Sequence, residues 1–174
     1  LAPEAFGKAY FLTSNLNRGI GENRIFGGMM NYPAGITQVV EFRRAGTLVQ
    51  LIAKNTKYAA RTGTPEARAV AAGFSDSLVA TVPVVSQPHP ERKSILIEAN
   101  GLFLSDLLGV GMQLQRAFRQ GYSLDPRNST ITSVRGSPQS LEVQTQNHYY
   151  SGNVGVPQPG APPGLPVPSA PRYV

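Results

Sequence analysis

The chain has 174 residues, of which 41% are hydrophobic, and this is enough for one domain with a hydrophobic core or for one domain with a tail. Its formal net charge is +6, but adjacent basic residues occur only at Arg43-Arg44 and Arg92-Lys93, so we interpret the excess as a solvated basic surface and not as a nucleic-acid interface. The sequence has no cysteine and no run of about 18 apolar residues, which excludes disulfides, thiolate metal sites, cysteine nucleophiles and a membrane-spanning helix.

The first part of the chain combines one short strand with a glycine-rich stretch. The sequence begins at Leu1 without a charged and then apolar leader, so we expect a mature product or a fragment. Residues 9–14 predict a strand, and residues 15–31 predict irregular structure because several glycines interrupt them. Gly19 and Gly21 resemble the start of a dinucleotide-binding loop, but no third glycine follows at the required spacing, so we interpret them as turn residues.

Residues 38–53 predict a β-hairpin, around which we expect the other strands to assemble. Ala45-Gly46 is the predicted two-residue turn, and it would pair Phe42 with Val49. In this register one face of the hairpin is apolar, whereas the other face mixes Glu41 and further polar residues with apolar ones. Such a pattern is typical of an antiparallel sheet that is covered on one side.

A polar connection over residues 55–65 leads into a predicted short helix. The helix begins at Pro65, which suits the first helical position, and Thr64 is the predicted N-cap. We expect the helix to end at Gly73.

Residues 77–86 and 93–99 predict the two strands of a second hairpin, joined by a loop around Pro88-His89-Pro90. Pro83 lies inside the first of these strands and cannot donate a hydrogen bond to a neighbouring strand. We therefore predict that this strand is an edge strand or is bulged at Pro83.

The helical pattern is strongest over residues 102–121, but Gly109 and Gly111 weaken its middle, so we predict two short helices with a break between them. A turn is predicted at residues 124–128. Residues 129–135 and 141–150 then predict a third hairpin.

Residues 152–174 are dominated by Pro, Gly, Ala and Val, and they predict a polyproline II linker or a strap over a neighbouring surface. Residues 1–151 form the predicted β-rich domain. With roughly seven short strands in hairpins and one or two short helices, the sequence predicts an α+β fold that consists mainly of antiparallel sheet.

No constellation of residues for catalysis, cofactor binding or metal binding is recognisable, and we predict no site residues of these kinds. The chain has two histidines, and His89 and His148 are interpreted as a loop residue and a strand-end residue. The Tyr149-Tyr150 pair that follows His148 could contact a ligand or another domain, but ordinary packing at a sheet edge is the favoured interpretation. Asp76 and Asp106, each next to serine, are interpreted as turn and cap residues and not as part of a hydrolase site.

Five short motifs nevertheless occur in an order that resembles one protein family. They lie at residues 11–21 (FLTSNLNRGIG), 40–44 (VEFRR), 55–58 (NTKY), 74–78 (FSDSL) and 97–106 (IEANGLFLSD). The chain resembles, over about residues 9–150, the uncharacterised N-terminal domain that precedes the catalytic domain in large bacterial zinc-dependent metalloproteases of the metzincin type.

This resemblance implies an exported, periplasmic or secreted protein in which the present chain is a non-catalytic partner of a metallopeptidase domain. The zinc ligands and the catalytic glutamate of that family lie in an extended His-Glu-x-x-His motif, which this chain does not contain, so zinc is implied only for the downstream domain. The domain would scaffold or regulate the protease, and inhibition through a cysteine thiolate is excluded because the chain has no cysteine. The alternative is a stand-alone β-rich module that binds peptide or glycan.

Overall fold

The computed structural model describes residues 1–19, 36–155 and 169–173 of the chain. The described residues form an α+β fold that consists mainly of antiparallel sheet, as predicted. A 3-10 turn at Pro3–Ala5 comes first. The helices are α1 (Pro65–Gly73), α2 (Asn100–Phe103) and α3 (Val110–Phe118). The strands are β1 (Ala9–Ser14), β2 (Ile36–Ala45), β3 (Leu48–Ala53), β4 (Ser77–Pro83), β5 (Ser123–Leu124), β6 (Thr130–Gly136), β7 (Leu141–Gln146), β8 (Tyr149–Gly155) and β9 (Ser169–Tyr173).

The described chain divides into two compact units. The first unit contains Leu1–Ser14 and Ile36–Leu102, and the second unit contains the remaining described residues. The predicted domain boundary at residue 151 is a different division, and it stays a prediction. None of the described helices is both long and apolar enough to span a membrane.

The first unit is organised around a four-stranded antiparallel sheet in the order β1-β2-β3-β4. One face of this sheet is buried, and its most buried side chains include Val40, Val49, Leu51 and Val82. Ile95, which belongs to the same unit, is also buried and is only 2% exposed. Burying side chains of this size stabilises the unit by about 1.5–3 kcal/mol for each one.

The predicted hairpin over residues 38–53 is present, but its register differs from the expected one by two residues. Phe42 pairs with Leu51 and not with Val49, because the turn consists of Gly46 and Thr47. Gly46 has φ of +62°, as the first position of a type II′ turn requires. A shift of two residues leaves every side chain on its predicted face, so the prediction of one apolar and one mixed face is confirmed.

The prediction for Pro83 is confirmed, because β4 lies at one edge of the sheet. The strand predicted over residues 93–99 is wrong in its extent, since only one isolated bridge, between Val84 and Ile97, is formed there. The physical reason is that the Leu96 N–H donates to the hydroxyl of Ser86 at 2.9 Å and not to a backbone carbonyl. This side chain interrupts the ladder.

Helix α1 begins as the sequence predicts. The Thr64 hydroxyl accepts a hydrogen bond from the Ala67 N–H at 3.2 Å, and Pro65 occupies the first helical position. Thr64 therefore satisfies one of the backbone donors that have no partner within the helix.

We expect that Thr64→Ala lowers the free energy of unfolding by about 1 kcal/mol, because the cap is lost. Thr64→Ser keeps the hydroxyl and is the matched control. Urea unfolding of the two variants and the parent chain checks the prediction, and an equal loss in both variants would contradict it.

The second unit has a small core of four buried residues, Val110, Leu114, Tyr122 and Tyr149. The two short helices with a break between them are confirmed in this region, and Gly109 precedes α3 with φ of +64°. Gly111 is needed because a Cβ at this position would lie 2.9 Å from the carbonyl oxygen of Tyr122.

Two small sheets, in the strand orders β5-β8-β9 and β6-β7, complete the described part of the second unit. The predicted hairpin of β6 and β7 is present, but the strand expected over residues 141–150 is two strands in different sheets. The break falls at His148, whose N–H donates to the Ser129 hydroxyl and whose carbonyl accepts from Asp125. The backbone of His148 is therefore used by the preceding turn and cannot continue β7.

Both ends of the segment predicted as a linker contain strand. β8 runs to Gly155, and β9 pairs with it in an antiparallel ladder. The polyproline II conformation predicted between them concerns residues 156–168, which lie outside the described residues. Gly21 and most of the irregular stretch predicted at residues 15–31 also lie outside them.

Candidate functional site

The mixed face of the four-stranded sheet carries four charged side chains in one network. Arg43 contacts Glu41 at 2.5 Å, and Lys54 contacts Asp76 at 2.6 Å. Lys54 also lies 3.6 Å from Glu41, and Arg43 lies 4.0 Å from Asp76. We name these four residues the charge cluster. It holds two cations and two anions, so its net charge is zero.

Hydrogen bonding within the charge cluster shifts three pKa values. The guanidinium of Arg43 holds the pKa of Glu41 below its usual value, and the ammonium of Lys54 does the same for Asp76. In return, the Asp76 carboxylate raises the pKa of Lys54. The side chains are between 17% and 51% exposed, so each pair contributes no more than about 1 kcal/mol.

These shifts predict how stability depends on pH. The two depressed carboxyl pKa values stabilise the fold fully above the unfolded values of 3.8 and 4.5, and this contribution is lost as the pH falls through the folded values. The raised pKa of Lys54 contributes below 10.5 and is lost as the pH rises through its folded value. Urea unfolding is therefore expected to show a loss of stability below about pH 4.

The double variant Glu41→Gln with Asp76→Asn is the control for this pH dependence. Its stability should fall less steeply in acid, because neither replaced side chain can bind a proton. If the stability of this variant fell with pH as steeply as that of the parent chain, carboxyl groups elsewhere would cause the loss.

Asn55 connects two loops beside the charge cluster. Its side-chain amide donates to the carbonyls of Tyr58 and Phe74, and its Oδ1 accepts from the Lys57 and Tyr58 N–H groups. Its own N–H donates to Asp76 at 2.9 Å. One side chain thus fixes the loop after β3 against the loop before β4.

The loops joined by Asn55 present an aromatic pair. The rings of Tyr58 and Phe74 stack with centroids 3.9 Å apart and an angle of 20° between their planes. Tyr58 is 51% exposed and Phe74 is 45% exposed. The two rings thus offer exposed aromatic surface that a partner molecule can contact. We name the charge cluster, Asn55 and this aromatic pair the candidate site.

The candidate site brings together motifs that lie far apart in the sequence. Glu41 and Arg43 come from residues 40–44, Asn55 and Tyr58 from residues 55–58, and Phe74 and Asp76 from residues 74–78. Phe11, from residues 11–21, lies on the same face of the sheet, opposite Val39. Residues from three of the five ordered motifs therefore contact one another in the candidate site, and a fourth motif supplies Phe11 to the same face of the sheet.

The histidines singled out in the sequence lie in different compact units. The Nδ1 atom of His89 accepts hydrogen bonds from the Glu91 and Arg92 N–H groups, both at 3.2 Å, so this ring organises its own loop. His148 belongs to the other compact unit. Within the part of the chain that the structure describes, no three His, Cys, Asp or Glu side chains are grouped so that they could hold a metal ion.

The second unit contains a polar pair that sequence reasoning missed. The hydroxyl of Tyr149, a residue that is only 5% exposed, donates to Asp106 at 2.8 Å. Burial, together with this hydrogen bond, raises the pKa of Tyr149. Asp106 also accepts from the Val110 and Gly111 N–H groups, which confirms its predicted role as a cap.

Tyr149 therefore serves the core of its unit, whereas Tyr150, which is 36% exposed, is the member of the pair that lies at the surface. Phe42 is half-buried and makes an edge contact with Tyr10. The sequence held a signal for the cap, because Asp106 precedes a helical pattern, but no signal for the partner in β8.

Comparison with known proteins gives one match. Neither the curated proteins nor the solved structures contain a significant match to this chain. A protein-family profile, described as a domain of unknown function (DUF5117), matches residues 34–164. The match agrees with the resemblance to an uncharacterised domain, and it carries no information about a protease. Since the matched residues are more than half of the chain, the chain belongs to the DUF5117 family.

Proposed function

We propose that this chain is a non-catalytic domain of an exported bacterial zinc-dependent metallopeptidase, and that it scaffolds or regulates the protease domain. The observation that carries the proposal is the contact, in the candidate site, among residues from three of the five family-like motifs. Motifs that are separate in sequence and adjacent in space are expected where a surface has a common task.

The chemistry of the candidate site suits docking better than catalysis. Both carboxylates of the charge cluster are paired with cations, so neither is poised as a general acid or base near neutral pH. The stacked rings of Tyr58 and Phe74 offer a rigid apolar surface whose loops are already fixed by Asn55. A preformed surface of this kind loses little conformational entropy when a partner binds.

The test compares the protease domain of the parent protein with and without residues 1–174. We expect its melting temperature, its zinc-dependent cleavage of a protein substrate, or both, to change when the domain is absent. Identical values with and without the domain would contradict the proposal.

A matched pair of surface variants then localises the effect. Tyr58→Ala removes one ring of the candidate site, and Val134→Ala removes a 61% exposed apolar side chain from the sheet of β6 and β7. Only Tyr58→Ala is expected to reproduce the loss of the domain. If both variants changed the stability or activity of the protease domain equally, the candidate site would not be the surface that acts on that domain.

The second candidate function is a stand-alone module that binds glycan. The exposed aromatic pair favours it, because stacked rings with half of their surface in solvent can contact the apolar face of a sugar. A glycan array probed with the parent chain and with Tyr58→Ala distinguishes the two functions. Binding that depends on Tyr58 would support the module, and no binding to any glycan would count against it.

A further inference from the structure

Strand β1 is an edge strand without the features that usually protect an edge. Among the described strands it pairs only with β2, and the pairing is unbroken from Ala9 to Ser14. The opposite edge, β4, ends at Pro83 and has a register shift in its ladder with β3. Residues 9–14 (AYFLTS) contain neither a proline nor a charged residue. Natural proteins use charges, prolines and bulges to prevent pairing at an edge, and β1 has none of them.

The backbone groups that β1 leaves for another strand can be identified. The Phe42 carbonyl accepts from Gly7, on the β1 side, and the Val39 carbonyl accepts from Lys54, on the β3 side. The backbone groups of successive residues in an antiparallel strand point alternately to its two sides. The even-numbered residues of β2 therefore direct their N–H and C=O groups toward β1. Val40 is therefore hydrogen-bonded to its partner Tyr10.

It follows that the even-numbered residues of β1 form the ladder with β2, whereas Ala9, Phe11 and Thr13 direct their N–H and C=O groups away from it. Phe11 is the middle residue of this outward set. Its side chain is 82% exposed, the highest value among the large apolar residues whose exposure is described.

We propose that β1 pairs with β1 of a second copy of this chain, antiparallel and around a twofold axis at Phe11. Such pairing joins two four-stranded sheets into one continuous sheet. On the axis, Phe11 lies opposite Phe11 of the second copy, so each exposed ring gains an aromatic cross-strand partner.

The sequence of β1 is complementary to itself in this register. Ala9 lies opposite Thr13 of the second copy, and Tyr10 lies opposite Leu12 of the second copy. Lys8, which precedes the strand, lies opposite Ser14, so no like charges meet. A self-complementary contact of this kind is the requirement for a closed dimer with twofold symmetry.

The contact is small, and the dimer is accordingly weak. β1 has six residues, which is fewer than a standard interface supplies from each side. We expect a dissociation constant on the order of 10 μM. Sedimentation equilibrium of the full 174-residue chain over a concentration series that spans this value measures it directly.

Two variants test the geometry by different means. Thr13→Pro removes one outward N–H without removing a donor of the ladder with β2, and it should raise the dissociation constant at least about tenfold. Phe11→Lys places two like charges on the axis and leaves the backbone unchanged. Leu96→Lys, at an apolar residue that is 66% exposed outside β1, is the matched control and should leave the dimer unchanged.

Hydrogen exchange supplies an independent measurement. In the dimer, the amides of Phe11 and Thr13 should become protected as the concentration rises, whereas the Leu12 amide should be protected at every concentration. Circular dichroism shows whether each variant is folded. If Thr13→Pro does not fold, Phe11→Lys alone tests the proposed dimer.

Four results would overturn the proposal. The first is a monomer at all concentrations, and the second is a dimer that survives both β1 variants. The third is equal weakening by Leu96→Lys, which would indicate general apolar adhesion. The fourth is protection of the Phe11 and Thr13 amides in the monomer, which would mean that this edge is covered within one chain.

Discussion

Asp106→Ala is expected to lower the free energy of unfolding by about 3 kcal/mol, more than any other single replacement of a polar residue considered for this chain. Two losses combine. The Val110 and Gly111 N–H groups lose their carboxylate acceptor at the start of α3, which costs about 1 kcal/mol. The buried Tyr149 hydroxyl loses its carboxylate acceptor, which costs about 2 kcal/mol because the group stays away from water.

The two losses can be separated in a double-mutant cycle with Tyr149→Phe. The phenylalanine variant alone should cost about 1 kcal/mol, since it removes both the hydroxyl and the need for a partner. In that background, Asp106→Ala should cost only the cap. Urea unfolding of the four proteins gives the coupling, and an equal cost of Asp106→Ala in both backgrounds would show that the Tyr149 bond contributes nothing.

The local features of the fold were predictable because short-range chemistry decides them. Thr64 and Pro65 set the start of α1, and Gly109 separates α2 from α3, because caps and helix breaks depend on residues within one turn. The faces of the hairpin were predictable for a similar reason. Alternation along a strand survives a register shift of two residues, so an error in the turn left Phe42 on its expected face.

The register itself was not predictable, because Gly46 fits either position of a two-residue turn. The interruption of the ladder after β4 was hidden for another reason. It depends on the hydroxyl of Ser86, and serine is common both in strand ends and in loops. Strand β7 ends before His148 because the N–H of His148 donates to the hydroxyl of Ser129, nineteen residues earlier in the chain.

The candidate site was predictable only in part. The placement of Glu41 and Arg43 on the mixed face follows from strand alternation, but their partners do not. Lys54 and Asp76 are 22 residues apart, and no spacing rule connects the end of one strand with the loop before another. The stack of Tyr58 on Phe74 depends likewise on a loop closed by Asn55, so it could be found only in three dimensions.

Asn55→Ala is expected to lower the free energy of unfolding by about 2 kcal/mol and to loosen the candidate site itself. Its amide makes four hydrogen bonds to backbone groups of the two loops, between 3.1 and 3.3 Å. These groups are partly exposed, so water replaces some of the lost bonds and the cost stays below the sum of the four. The side chain is therefore more important for the conformation of the loops than for the sheet beneath them.

The neighbouring residue supplies the control, because Thr56 is exposed and no hydrogen bond of its side chain is described. Thr56→Ala should change stability by less than about 0.5 kcal/mol. The decisive measurement compares the near-ultraviolet circular dichroism of Asn55→Ala with that of Tyr58→Ala, because the chain has seven tyrosines and no tryptophan and only the change shared by both variants belongs to the stacked pair. If Asn55→Ala lost stability but kept the dichroism of the stacked rings, Asn55 would stabilise the sheet and not the aromatic pair.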